Sequence, residues 1–127
     1  MANKVLNGYE AVQKVEAGLG LETLERLKQL GLSFTELAET VVAPRTLKHR
    51  RSRGENLSPQ ESDRVLRVTR VVNQAEQTFG NRAKAWAWLR QSDDHLENRT
   101  HLSLLRTEAG ARLVEEQLMQ IADGIYT

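Results

Sequence analysis

The strongest constraint on the fold is a helix-start signal followed by a long apolar seam. Ser58-Pro59-Gln60-Glu61 combines a capping serine, a proline suited to the first helical position and a glutamate three residues after the cap. Apolar residues then recur at alternating spacings of three and four, at Val65, Val68, Val72, Ala75 and Phe79. This pattern predicts one long amphipathic helix, ended by Gly80. The seam fits either a monomer core or a dimer contact, and a chain this small favours the core.

Upstream of this helix, short apolar stripes alternate with stop signals. Leucines occupy every third position from Leu21 to Leu30, and Gly31 follows as a typical left-handed helix end. Ser33 and Glu36 form another capping box, which predicts a second short helix. Residues 1–20 contain three glycines and are expected to form an N-terminal arm with at most one helix.

A further helix is predicted over 81–91, and it contains both tryptophans of the chain. Trp86 and Trp88 cannot share one helix face, so one of them is predicted to lie at an interface or crevice. A partly exposed tryptophan lying over its own domain is the open alternative. The side chains expected inside are Ala83, Trp86, Ala87 and Leu89.

The remainder of the chain predicts a loop and one more long helix. Residues 92–99 are polar and lack periodicity, which indicates a loop. Thr100 is expected to cap a single turn, and Thr107 to cap the last helix. The apolar stripe of that helix is Val114, Leu118, Ile121 and Ile125. Because strand-favouring runs are almost absent, the sequence predicts an all-α fold, a small helical bundle.

Positive charge is concentrated between Pro44 and Gly54. This stretch holds five of the eighteen Lys and Arg residues and none of the seventeen Asp and Glu residues. A short helix, a sharp stop at Pro44 and a basic helix anchored by Leu47 together predict a helix-turn-helix that binds DNA. The alternative is a solvated surface helix with excess arginine. The predicted DNA-binding residues are Arg45, Thr46, Lys48, His49, Arg50, Arg51 and Arg53.

Enzyme chemistry is poorly supported by the sequence. The chain has no cysteine, its three histidines are scattered, and no glycine-rich phosphate loop occurs. Asp93-Asp94 is interpreted as a solvated turn. We therefore predict no catalytic residue, no metal and no cofactor. No apolar run approaches the roughly 20 residues that span a bilayer, and no signal-peptide core is present, so the expected location is cytoplasmic, without membrane contact.

Several motifs together resemble a known family. The run from Leu37 to Ala75, LAETVVAPRTLKHRRSRGENLSPQESDRVLRVTRVVNQA, is similar to the tLxRR…LsxxESDRvLR region of Xre-type antitoxins from RES–Xre toxin–antitoxin pairs. The continuation resembles the Xre/MbcA/ParS toxin-binding domain. It does so at Phe79-Gly80, Ala87-Trp88-Leu89, Leu104-Leu105-Arg106-Thr107 and Gly110-Ala111-Arg112-Leu113-Val114.

The resemblance implies a division of the chain into functional parts. After an arm over 1–20, a helix-turn-helix subdomain over 21–80 would form a homodimer and bind the operon's promoter DNA. A helical subdomain over 81–127 would hold and inhibit a RES-domain toxin, an enzyme that degrades NAD. In relatives the C-terminal end lies near the toxin's active-site entrance. The toxin-binding residues expected on this basis are Trp86, Leu102, Leu105, Ile125 and Tyr126.

One segment departs from the family pattern. Relatives usually show Pro-Asn, Leu-Gly-Gly and Thr-Pro, where this chain has Ser92-Asp93, Leu96-Glu97-Asn98 and Thr100-His101. Because glycine permits positive φ angles at little cost, the loop is expected to differ in conformation from that of relatives.

Two other functions remain open. One is a stand-alone helix-turn-helix transcriptional regulator whose C-terminal helices only dimerise. The other is an interaction module whose basic helix no longer binds DNA. Salt-dependent binding to promoter DNA would separate the latter from the others, and co-expression with a toxic neighbouring gene product would separate an antitoxin from a plain regulator.

Overall fold

Helices dominate the computed structural model, which describes residues 8–124. The α-helices in that range are α1 (Gly8–Ala17), α2 (Glu22–Leu30), α3 (Phe34–Thr40), α4 (Pro44–Arg53), α5 (Pro59–Phe79), α6 (Arg82–Leu89) and α7 (Glu108–Ala122). The all-α prediction is confirmed. The chain divides into two units, unit 1 (Met1–Thr69) and unit 2 (Arg70–Thr127). Between Gly8 and Gly124, no helix is long and apolar enough to cross a bilayer.

The predicted helix starts are confirmed by their hydrogen bonds. The Ser33 hydroxyl accepts from the Glu36 N–H at 3.1 Å, and a Glu36 carboxylate oxygen accepts from the Ser33 N–H at 2.9 Å. Ser58 and Glu61 form the same reciprocal pair at the start of α5. These bonds satisfy backbone donors that have no partner inside the helix.

Unit 1 is built on the predicted leucine stripe. Leu24, Leu27 and Leu30 on α2 are buried, and Leu47 of α4 is buried as the predicted anchor. The N-terminal arm contains one helix, α1, within its described part, and none of the α1 side chains is buried. Residues 1–7 lie outside the described range.

Unit 2 contains the second half of α5, α6 and α7. The α5 seam is buried within the single chain at Val72 and Ala75, as it is at Val65 and Val68 in unit 1, so it serves the monomer core. On α6 the prediction was wrong for the alanines, because Ala83 and Ala87 are exposed and Ala85 is buried instead. The buried stripe of α7 is confirmed at Val114 and Leu118.

The loop predicted over 92–99 is instead a small hairpin. Strand β1 (Ser92–Asp93) pairs with β2 (Arg99–Thr100), with the 3₁₀ turn Asp94–Leu96 between them, and a second 3₁₀ segment follows at Leu102–Arg106. Glu97 and Asn98 adopt left-handed conformations with φ of 57° and 61°. These are the positions of the family's two glycines, so two non-glycine residues here adopt a backbone region that glycine favours. The expected difference in loop conformation from relatives stays a prediction.

Candidate functional site

The basic stretch forms α4 because its ends carry suitable residues. Pro44 occupies the first turn, where its missing N–H removes no intrahelical bond. Gly54 follows the last turn with φ of 64°, and its N–H donates to the Arg50 and Arg51 carbonyls. Helix α3 ends at Thr40, so only Val41, Val42 and Ala43 separate the two helices. This is the short connection of a helix-turn-helix.

The predicted DNA-binding residues are distributed around α4 rather than on one face. At about 100° per residue, Arg45 and His49 lie opposite the buried Leu47, with Lys48 on one flank of them, and all three are exposed. Ser52 shares this face and was not among the predicted residues. Thr46 and Arg53 border the face, and Arg51 lies on its far side, next to Leu47. We call Arg45, Lys48, His49 and Ser52 the outer face of α4.

Arg50 is turned toward α5. Its Nε lies 2.8 Å from a Glu61 carboxylate oxygen and its Nη2 lies 3.2 Å from the other, while Nη1 lies 3.4 Å from the Glu55 carboxylate. The Glu61 side chain is only 10% exposed. Burial acts to raise the pKa of Glu61, but hydrogen bonds from Arg50 and from the Ser58 N–H outweigh it and lower the pKa. Arg50 thus holds α4 on α5, unlike the residues of the outer face.

The residues that follow Glu61 also tie α5 to the rest of unit 1. The Ser62 hydroxyl accepts from the Leu19 N–H at 2.8 Å. Asp63 lies 2.7 Å from Arg67, one turn further along α5 itself. Arg64 donates to the Val41 carbonyl at 3.1 Å, in the connection between α3 and α4. These contacts hold the helix-turn-helix in a fixed position on α5. The outer face of α4 is therefore held in a defined orientation within unit 1.

In unit 2, the predicted toxin-binding residues are mostly core residues. Leu105 has no exposed surface, Leu102 is 3% exposed and Trp86 is 6% exposed, with the Arg90 guanidinium 4.4 Å from the Trp86 ring centre. We therefore correct the assignment of Leu102 and Leu105 to a contact surface, because buried aliphatic side chains have no surface to offer a partner. Ile125 and Tyr126 lie outside the described residues.

The tryptophan at a crevice is Trp88. It is partly exposed and lines a cavity of about 790 Å³ in unit 2. The His101 ring stacks on the Trp88 indole with a centroid distance of 3.9 Å and an interplanar angle of 5°. His101 Nδ1 lies 2.8 Å from the Trp88 carbonyl oxygen. Sequence periodicity indicated that one tryptophan lay outside the core, but it could not indicate which.

Two of the three histidines, His95 and His101, lie near one carboxylate, that of Asp93. His95 Nδ1 lies 3.3 Å from one Asp93 carboxylate oxygen, and His101 Nε2 lies 3.5 Å from the other. A hydrogen bond from the His95 backbone N–H contributes most to lowering the pKa of Asp93. Asp93 is therefore a bridging carboxylate rather than a solvated turn residue. Among residues 8–124, no group of three or more His, Asp or Glu side chains could hold a metal ion.

Two family models match consecutive parts of the chain. The Antitoxin Xre-like helix-turn-helix domain matches residues 10–70, which include α3 and α4. The Antitoxin Xre/MbcA/ParS C-terminal toxin-binding domain matches residues 74–124, which include α6, the hairpin and α7. The two matches follow the same order as the two units.

Curated relatives agree with these matches. A protein named Antitoxin Xre from Pseudomonas putida is 31% identical over 121 residues, which cover 95% of this chain and 76% of the relative. A second Antitoxin Xre, from Yersinia enterocolitica, is 28% identical over 124 residues, covering 94% of this chain and 83% of the relative. The chain therefore belongs to the Xre antitoxin family of toxin–antitoxin systems, a family of helix-turn-helix, toxin-binding regulators rather than of enzymes.

Proposed function

We propose that this antitoxin neutralises a NAD-degrading RES-domain toxin by direct binding and represses its own operon through α4. The observation that carries the DNA half is the outer face of α4. There Arg45 and His49 are exposed opposite the anchor Leu47, with Lys48 exposed beside them. Arginine and lysine at the surface of such a helix neutralise phosphates and pair with guanine edges in the major groove.

Within the basic helix, the structure supports two different roles. The outer face supports direct contact with DNA, with Arg53 and Thr46 at its borders and Arg51 next to Leu47 as backbone contacts. The contacts of Arg50 support a role in positioning α4, because its guanidinium already binds Glu61 at 2.8 Å and lies 3.4 Å from Glu55. The protein acts as a homodimer, since one recognition helix buries too little surface on DNA for tight specific binding. It acts in the cytoplasm.

The toxin half rests on the family match of residues 74–124 and on the resemblance to RES–Xre pairs. The contact surface would come from exposed parts of unit 2 and from the C-terminal Ile125 and Tyr126, which we retain as candidates for covering the toxin's cleft. Deleting residues 125–127 should weaken protection and leave DNA binding intact. Full protection by the shortened chain would remove these residues from the toxin contact.

The test is expression of the adjacent reading frame with and without this chain. We expect the neighbour alone to arrest growth and deplete cellular NAD, and co-expression to restore both. A neighbour that arrests growth without NAD loss would contradict the RES assignment. A neighbour that is neutralised only through transcriptional repression, with no complex on co-purification, would favour the stand-alone regulator.

A further inference from the structure

One feature of unit 2 serves neither its core nor the DNA-binding helix. It is the cavity of about 790 Å³ beside the hairpin and α7. Trp88 and His101 form its aromatic wall, Asp93 and Asp94 lie at the hairpin side, and Gln117 and Ile121 come from α7. All these residues belong to unit 2 and to the part matched by the toxin-binding domain.

Hydrogen-bond acceptors line this cavity. The Gln117 Oε1 atom is fully buried and has no hydrogen-bond partner among the described residues. A buried acceptor left unpaired is destabilising, and a donor from outside can reach it only when the Gln117 amide turns toward the cavity. Asp93 and Asp94 add carboxylates, and a hydrogen bond from the His95 N–H lowers the pKa of Asp93. None of the described residues that line the cavity is Lys or Arg.

The Trp88–His101 wall restricts which hydrogen-bond donor group fits the cavity. A cation near the face of a tryptophan is attracted by the ring's quadrupole. The Trp88 indole is held by its parallel stack on His101 at 3.9 Å and by a tilted contact with Phe79 at 5.9 Å, so the cation uses the part of the ring that these two leave toward the cavity. A guanidinium offers five N–H donors in one plane, stacks on aromatic rings and pairs with carboxylates through two bonds. An ammonium offers a compact point charge without a plane to stack. A carboxylate or phosphate would be repelled by the carboxylates of Asp93 and Asp94.

We propose that the cavity between the Trp88–His101 stack, Asp94 and Gln117 receives an arginine side chain of the partner toxin. This inference rests on the proposed function, because it needs a toxin that binds unit 2. The arginine stacks on Trp88 and pairs with the Asp94 carboxylate, and it donates to Gln117 Oε1 once the Gln117 amide turns toward the cavity. It gives the toxin-binding unit a polar anchor point where Leu102 and Leu105, both buried, cannot serve.

The experiment uses the full chain and the purified product of the adjacent gene, with dissociation constants measured by calorimetry. Asp94→Asn and Gln117→Met each remove one acceptor from the cavity and should weaken binding about tenfold. Asp94 is exposed, so Asp94→Asn leaves the fold undisturbed. Glu97→Gln is the matched control, since it neutralises an exposed carboxylate of the same hairpin outside the cavity lining. It should bind as the wild type does.

The outcomes separate this inference from the proposed function. A wild-type chain that binds no neighbour product overturns the proposed toxin binding and this inference with it. A wild-type chain that binds, with Asp94→Asn and Gln117→Met as tight as Glu97→Gln, overturns the arginine anchor alone. Unchanged circular dichroism and promoter affinity in both variants show that the loss does not come from unfolding.

A second measurement tests the chemistry of the occupant. N-acetyl-arginine amide and N-acetyl-lysine amide are titrated into the ¹⁵N-labelled chain, and the Trp88 indole and Gln117 amide signals are followed, with the Trp86 indole as the buried reference. The arginine compound should shift both signals and the lysine compound should shift them less. Equal shifts from the two compounds, or none from either, overturn the assignment to arginine.

Discussion

At the scale of single residues, the run Glu61-Ser62-Asp63-Arg64 explains how α5 supports the helix-turn-helix. Glu61 caps α5 and binds Arg50, Ser62 accepts from the Leu19 N–H, and Arg64 donates to the Val41 carbonyl. The sequence showed the capping role of Glu61, because caps follow from local spacing. It could not show the Arg50 and Leu19 contacts, which join residues far apart in the chain.

The pair Arg50–Glu61 gives a first prediction. Glu61→Gln should lower the free energy of unfolding by about 2 kcal/mol, because it removes a nearly buried carboxylate and leaves Arg50 without its main partner. Glu55→Gln is the matched control, since the Glu55 side chain is 42% exposed and lies 3.4 Å from the same arginine. It should cost less than about 0.5 kcal/mol. Urea unfolding at pH 7 measures both, and equal losses would contradict a specific role for Glu61.

The same residue predicts a pH dependence. The pKa of Glu61 is lower in the folded chain than its ordinary value of 4.5, so the carboxylate stabilises the fold above that pH. This stabilisation is lost as the pH falls through the folded-state pKa. Wild-type stability should therefore decline more steeply below about pH 5 than that of Glu61→Gln. Thermal unfolding of both proteins at stepwise acidic pH measures the difference, and parallel profiles would refute the prediction.

The hairpin gives a prediction about backbone strain. Glu97 and Asn98 both have positive φ angles, and glycine adopts this region at little cost, asparagine at moderate cost and glutamate at most. Glu97→Gly should raise the free energy of unfolding by about 0.5–1 kcal/mol, and Asn98→Gly should raise it less. Chemical denaturation measures the change. A loss of stability in Glu97→Gly would mean that its side chain makes a contact worth more than the strain.

At the scale of elements, the packing of α7 depends on a close approach. A Cβ on Gly110 would overlap the Leu104 carbonyl oxygen, so the start of α7 lies directly against the 3₁₀ segment Leu102–Arg106. Gly110 also donates its N–H to the Thr107 cap at 3.0 Å. A residue without a side chain is therefore required in the first turn, although glycine weakens helices in general.

Gly110→Ala should accordingly destabilise unit 2 by more than about 2 kcal/mol, against the gain of about 1 kcal/mol expected from helix propensity alone. Ala109→Gly is the control, because Ala109 is exposed in the same turn and the change costs at most about 1 kcal/mol. Thermal unfolding followed by circular dichroism compares them. A stabilised Gly110→Ala variant would show that the two segments can move apart without cost.

The elements also show what sequence patterns can and cannot predict. Helices α2, α3, α5 and α7 were predictable because caps and apolar periodicity are local signals. The hairpin was missed since two-residue strands have no periodicity and its positive φ angles fall on Glu97 and Asn98 rather than on glycines. The register of α6 was missed because its alanines are equally compatible with either face.

For the candidate sites, the clustered positive charge predicted the DNA-binding helix but not which of its side chains point away from the core. Seven residues of α4 were expected to reach DNA, while the structure presents Arg45, Lys48 and His49 together and turns Arg50 toward Glu61. In unit 2, the family resemblance led to a predicted toxin contact at Leu102 and Leu105, which are core residues. A crevice beside one tryptophan was predicted, but its place at Trp88 and its lining were not, because they depend on His101 and Gln117 from later segments.

At the scale of the whole molecule, each unit carries one proposed activity. Unit 1 presents the outer face of α4, and unit 2 contains the residues matched by the toxin-binding domain. Substitutions on α4 should therefore leave toxin neutralisation unchanged, and substitutions in the unit 2 cavity should leave DNA affinity unchanged. Loss of both activities from a single surface substitution would contradict this separation.

The most direct test of the account is the salt dependence of binding to the operon's own upstream DNA, measured by fluorescence anisotropy. The variant Arg45→Ala/Lys48→Ala should bind more weakly. Its slope of log affinity against log salt should be shallower by about 2 per chain, because two phosphate contacts are lost. The control variant Lys84→Ala/Arg112→Ala removes two exposed charges from unit 2 and should retain the wild-type slope. A double α4 variant with wild-type affinity and slope would contradict the claim that the outer face of α4 binds DNA.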